Sequence, residues 1–196
     1  MGDCAVCVAS SIIRRALPRS PTEVRAMSEA PGVPPKPAVP TLYEWLGGLD
    51  ALTRLTTRFY QRVPDDPVLA PVFAAMPADH ARHVAYFLAE VLGGPPRYTS
   101  DVAAGAQHGH PRMVAHHLGR GLTEPQRARW VHLLLSTADE VGLPDDPEFR
   151  SAFVAYLEWG SRLAVINSGP GVPEPTPAPM PQWGWGVPGG PYRPNE

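Results

Sequence analysis

Cysteine is nearly absent from this 196-residue chain, Cys4 and Cys7 being the only two. Two thiols cannot define a disulfide scaffold, and a lone C-x-x-C outside any strand–helix pattern makes a poor redox or metal motif. The fold must therefore rest on a buried apolar core. An excess of charge is missing as well: the formal net charge is −2, and the isoelectric point lies near 6.4. That balance leaves no electrostatic footprint for nucleic acid. No apolar run reaches the roughly 18 residues that a membrane span needs. A secretory leader would need a basic start, but Asp3 stands there, and Arg14 and Arg15 cut short the apolar run that follows. A cytoplasmic protein is expected, with Met27 as an alternative start. No sustained apolar–polar alternation argues for strands.

Proline, by contrast, is abundant and unevenly spread. Sixteen of the 26 prolines fall in residues 1–40 or 169–196. Segments such as "PGVPPKPAVP" and "PGVPEPTPAPMPQWGWGVPGGPYRPNE" carry no apolar period and cannot offset the entropy of being ordered. Residues 1–40 and 169–196 are thus expected to be disordered or extended tails around one domain at 41–168. Trp183, Trp185 and Tyr192 give the second tail a docking alternative.

Within 41–168 the apolar spacing is helical. One helix is expected from about Leu49 to Val63, with Leu52, Leu55, Thr56, Phe59, Tyr60 and Val63 on one side. Asp66–Pro67 reads as an N-cap followed by a first-turn proline, so a short helix should follow. A third helix spans roughly Asp79 to Leu92, with Val84, Phe87, Leu88 and Val91 at helical intervals. Thr123 and Gln126 form a capping box, and the helix they open carries Trp130, Leu133, Leu134, Thr137, Ala138 and Val141. Asp146–Pro147 starts the last helix, with Phe149, Phe153, Tyr156, Leu157, Gly160, Leu163 and Ala164 turned inward. Gly47–Gly48 and Gly93–Gly94 punctuate the pattern where chain turns are needed. The domain is all-α.

All seven histidines lie between His80 and His132. In "HPRMVAHHLGRGLTEPQRARW", from His110 to Trp130, His116 and His117 are adjacent. Helix neighbours point about 100° apart, so only one of them can face a given site. If Arg112–Leu118 is a short helix, His117 shares the apolar face of Met113 and Val114. His116 then shares the polar side of Arg112 and Arg120. A buried imidazole needs a partner for each ring nitrogen. Two readings of His117 stand: a satisfied core histidine, or a metal ligand whose second nitrogen donates to a carbonyl. The Met113 carbonyl, one turn back, is the natural acceptor. Tyr60 and Trp130 project from apolar faces with one polar atom each, and His80 extends the inward face that holds Val84. These groups could surround one pocket, which suits a haem iron with a small polar ligand.

The segments "TLYEWLGGLDAL", "RFYQRVPDDPVLAPVF", "AEVLGGPPRYTS", "GHPRMVAHHLGRGLT" and "RARWVHLLL" resemble the group II truncated haemoglobins. The resemblance covers residues 41–168 and neither tail. It implies a two-on-two helical sandwich holding haem b, with His117 as the proximal iron ligand. It makes Tyr60 the distal tyrosine and Trp130 the tryptophan beside the bound ligand. Phe73 stands where the group often has tyrosine, which removes one donor. His80 stands where a small residue is common, with His83 as the rival for that position. Val84, Phe87 and Leu88 would line the haem edge. His83, Tyr98, His110, Arg112 and His116 would lie near the propionates, with Met113 orienting the proximal histidine.

The resemblance implies reversible binding of O2, CO or NO for oxygen storage, transport or sensing, in a monomer or homodimer. A haem-dependent redox enzyme, reducing peroxide or oxidising nitric oxide with an external reductase, is the alternative. Without haem, His108, His110, His117 and His132 would be left as candidates for zinc, though their spacing matches no familiar motif.

Overall fold

The order of elements follows the capping residues. The computed structural model describes residues 38–100 and 109–186. Within them lie α1 (Leu42–Trp45), α2 (Gly48–Arg62), α3 (Ala70–Phe73), α4 (His80–Val91), α5 (Gly109–Ala115), α6 (Glu124–Glu140) and α7 (Pro147–Asn167), with no strand among the described residues. Thr41 and Glu44 cap α1 reciprocally, and Thr123 and Gln126 do the same for α6. Asp146 caps α7 through the Phe149 amide and also accepts the Trp45 indole N–H at 2.8 Å, tying α1 to the start of the last helix.

Helix α2 packs most extensively on α4, and α6 packs on both α7 and α2, so the α2–α4 pair meets the α6–α7 pair. The core is apolar. Leu52, Leu55, Thr56, Phe59 and Tyr60 of α2 are buried against Phe87, Leu88 and Val91 of α4. Leu133, Leu134 and Ala138 of α6 meet Phe149, Phe153 and Leu157 of α7 in the same cluster. Fully burying one such side chain contributes about 1.5–3 kcal/mol.

The turn after α4 shows why glycine stands there. Gly93 has φ +93°, in the left-handed region, and a Cβ at Gly94 would lie 2.7 Å from the Ala89 carbonyl and 2.8 Å from the Tyr43 ring. The missing side chain lets α1 approach the end of α4, where the Tyr43 amide donates to the Leu92 carbonyl.

Three expectations need correction. The short helix after Asp66–Pro67 begins only at Ala70. Asp66 instead accepts from the amides of Val68 and Leu69, so its carboxylate organises a turn first. The helix expected at 112–118 covers Gly109–Ala115, and His116 to Gly119 form a turn. The third concerns the chain after 168: up to Gly186 it carries no helix, yet it docks on the domain. The Trp183 amide donates to the Val91 carbonyl at 2.8 Å, its indole N–H to the Ala152 carbonyl at 2.9 Å, and the Trp185 indole to the Pro40 carbonyl at 2.7 Å. The docking alternative therefore describes 169–186 better than the unordered one. Residues 1–37, 101–108 and 187–196, and with them Cys4, Cys7, Met27, His108 and Tyr192, lie outside the described residues. No described helix is long and apolar enough to cross a membrane.

Candidate functional site

Between the two helix pairs lies a cavity of about 620 Å³. Its lining includes every residue singled out for the site: Tyr60, Phe73, His80, His83, Val84, Phe87, Leu88, Tyr98, His110, Arg112, Met113, His116, His117 and Trp130.

His117 sits two residues beyond the end of its helix, yet its imidazole still reaches back one turn. Its Nδ1 lies 2.8 Å from the Met113 carbonyl. A carbonyl oxygen only accepts, so Nδ1 carries the proton and Nε2 keeps a lone pair. Burial lowers the pKa of this ring, against the raising effect of the Met113 bond, so the imidazole is neutral. His116 is the exposed member of the pair, as the facing argument expected.

Tyr60 is buried, with its ring packed edge-on against Phe59, Phe73 and His80. Its hydroxyl lies 3.0 Å from His80 Nε2. Burial pushes its pKa well above the ordinary value, while an interaction with the Trp130 indole N–H opposes that rise. The His80 ring is pushed the other way, down to about 4, by burial first and then by nearby His116, His83, His117 and Arg120. At neutral pH the group comprises a neutral phenol, a neutral imidazole and an indole N–H. His83 turns instead toward Asp79, its Nε2 3.5 Å from the carboxylate, so His80 is the histidine that meets Tyr60.

Toward the α5 side, the Arg112 guanidinium lies 5.4 Å from the centre of the Tyr98 ring, and its buried Nη1 has no hydrogen-bond partner. Tyr98 in turn packs on Phe87. His110 borders the same region, its pKa lowered by burial. The zinc alternative finds no support: no three metal-binding side chains gather among the described residues, and His108 lies outside them.

The cavity also has walls that the sequence reading did not assign to it. Leu69 and Met76 line it from the α3 region, Tyr156, Trp159 and Leu163 from α7, and Pro181 from the docked strip. The inward spacing of α7 could have indicated Tyr156 and Leu163. Nothing local could have indicated Pro181.

The bacterial-like globin family model matches residues 41–159. Group 2 truncated hemoglobin YjbI of Bacillus subtilis is 35% identical over 120 residues, which are 61% of this chain and 84% of that protein. The crystal structure of the group II truncated hemoglobin from Bacillus anthracis superposes with a TM-score of 0.56 at 27% identity, covering 66% of this chain and 92% of that one. The truncated oxygen-avid haemoglobin of Bacillus subtilis superposes with a TM-score of 0.55 at 33% identity, covering 64% and 99%. Helix order, a cavity between the two helix pairs and these similarities agree: the chain belongs to the bacterial-like globins as a group II truncated haemoglobin, a family whose members bind haem b.

Proposed function

We propose that the chain binds O2 reversibly at a haem iron held by His117 Nε2, and takes CO and NO at the same position. The observation that carries this reading is the His117 ring, fixed through Nδ1 to Met113 with its unprotonated Nε2 left for the cavity that Tyr60, His80 and Trp130 also line. A proximal imidazole needs that arrangement: one nitrogen donates to a carbonyl, which fixes the ring and raises the basicity of the other.

The remaining walls fit the group. Val84, Phe87, Leu88 and Phe73 offer apolar surface to a flat macrocycle. Arg112, with a buried Nη1 lacking a partner, suits a propionate carboxylate, because a buried unpaired guanidinium N–H is costly. His83, His110 and His116 border the cavity as further propionate neighbours. Haem, when bound, supplies an iron with one open position for a diatomic ligand. This chain's own residues do the rest. Tyr60 and Trp130 supply hydrogen-bond donors where negative charge gathers on the ligand, and His80 governs the Tyr60 proton. The Bacillus subtilis neighbour is described as oxygen-avid, and donors of this kind would favour slow O2 release here too.

The purified protein should show a strong absorption band near the violet edge that shifts when carbon monoxide is added. In His117→Ala that band and its shift should be lost. A variant that stays as red and takes up gas as readily overturns His117 as the ligand.

A further inference from the structure

Three aromatic rings connect the cavity to the protein surface. Tyr156 of α7 is 5% exposed and lines the cavity. Its ring centre is 5.6 Å from that of Trp183 and 6.2 Å from that of Trp159, and the two indoles are 5.6 Å apart. All three separations fall in the range of direct ring contact. Trp183 is pinned on both sides, its indole N–H held by the Ala152 carbonyl and its backbone N–H by the Val91 carbonyl. Trp159 is 39% exposed, among the few large apolar side chains of the described residues to face water. Packing alone explains Tyr156. It does not explain why a docked strip without helical structure seats an indole against both the buried phenol and the half-exposed Trp159, which borders the same cavity.

We propose that Trp159, Trp183 and Tyr156, packed ring against ring beside the cavity, form a relay that carries single electrons inward from the surface. Trp159 is then a site for oxidation of electron-rich phenols too large to enter the cavity. The relay rests on haem occupying the cavity, and the oxidant is a hydroperoxide that reaches the haem. The peroxide O–O bond breaks and takes up two electrons and two protons, giving one alcohol (water, from hydrogen peroxide) and one water. The electrons come from two phenol molecules in turn, each losing one electron and its hydroxyl proton to become a phenoxyl radical. Each electron passes from the phenol to Trp159 and on across Tyr156, either directly at 6.2 Å or by way of Trp183 at 5.6 Å from each ring. The phenolic protons go to solvent, which replaces those consumed at the peroxide. Trp183 can give up an electron while keeping its N–H on the Ala152 carbonyl, so no buried proton has to leave.

The test adds hydrogen peroxide to the ferric, haem-loaded protein and uses three readouts: electron paramagnetic resonance, peptide mass spectrometry, and oxidation of a bulky phenolic dye. The expected result is a tryptophan radical and oxidised indoles at Trp159 and Trp183, absent from peroxide-treated protein without haem. Trp159→Phe should lose most of the dye oxidation. Trp183→Phe should lower the oxidation at Trp159, leaving only the direct contact with Tyr156, while binding carbon monoxide as before. Any of three results overturns the relay: oxidation confined to Tyr60 and Trp130, equal oxidation without haem, or full dye turnover in Trp159→Phe. A protein with no haem band overturns the function proposed above along with the relay, and that is read before peroxide is added.

Discussion

The Tyr60 hydroxyl has one proton and two polar neighbours, His80 and Trp130. Trp130 can only donate. His80 can do either, depending on which ring nitrogen carries its proton. With the proton on Nδ1, His80 Nε2 accepts the phenol proton, and Tyr60 has none to offer a ligand. With the proton on Nε2, His80 donates to the Tyr60 oxygen and frees the phenol proton. Binding of a polar diatomic ligand should therefore select the Nε2–H form, visible in the ring-nitrogen shifts of the CO-bound ferrous protein. An Nδ1–H ring in that state would exclude Tyr60 as the ligand's donor. A hydrogen bond of about 1–1.5 kcal/mol corresponds to roughly tenfold in dissociation. Tyr60→Phe should then release O2 roughly ten times faster in stopped flow. Phe73, which packs on Tyr60 at 5.5 Å between ring centres, has no hydroxyl to compensate.

Helix starts were legible in the sequence because they are local. Thr123 with Gln126, and Asp146 before Pro147, meet their amide partners within three residues, and both caps form as the spacing required. Thr123→Ala removes the side-chain half of its box and should cost about 1 kcal/mol in a urea melt. An unchanged midpoint would mean that packing alone fixes this end of α6. The facing of His117 was legible for the same reason, since one turn separates it from Met113. Helix ends were harder to read: α5 stops at Ala115, short of the Leu118 end that the facing argument assumed, yet His117 keeps its bond from the turn beyond. Least legible was the strip at 169–186. Its anchors are the carbonyls of Val91, Ala152 and Pro40, distant in sequence, and composition alone favours disorder there. Gly94 marks a comparable long-range contact, because a Cβ there meets Tyr43. Overpacking of that kind costs about 1–3 kcal/mol, so Gly94→Ala should lower the thermal midpoint by several degrees.

Across the whole molecule, the shifted groups confine stability to a window of pH. Burial lowers His80 from 6.5 to about 4, and His110 moves the same way. Between those limits the unfolded chain holds protons that the folded one refuses, so stability falls as pH drops from about 6.5 toward 4. Arg127 holds Glu124 and Glu158 below their ordinary carboxylate values. Asp66 is lowered too: burial would raise it, but Arg129 and the amides of Leu69 and Val68 outweigh that effect. These three carboxylates contribute stability that is present above the ordinary range and lost as pH falls below it, which deepens the decline in acid. On the alkaline side, burial raises Tyr60 and Tyr156 above 10.0. The unfolded chain loses those phenolic protons first, so stability falls again above about pH 10. Thermal melts of the haem-loaded, CO-saturated protein should thus give a plateau from about pH 7 to 10, with a decline on either side. The acid decline should begin above pH 5, before ordinary carboxylates titrate, because histidine is the group that opens it. His80→Leu should delay that onset. If the onset stays in place, His80 titrates alike in the folded and unfolded protein, and burial is not what keeps its ring neutral beside Tyr60.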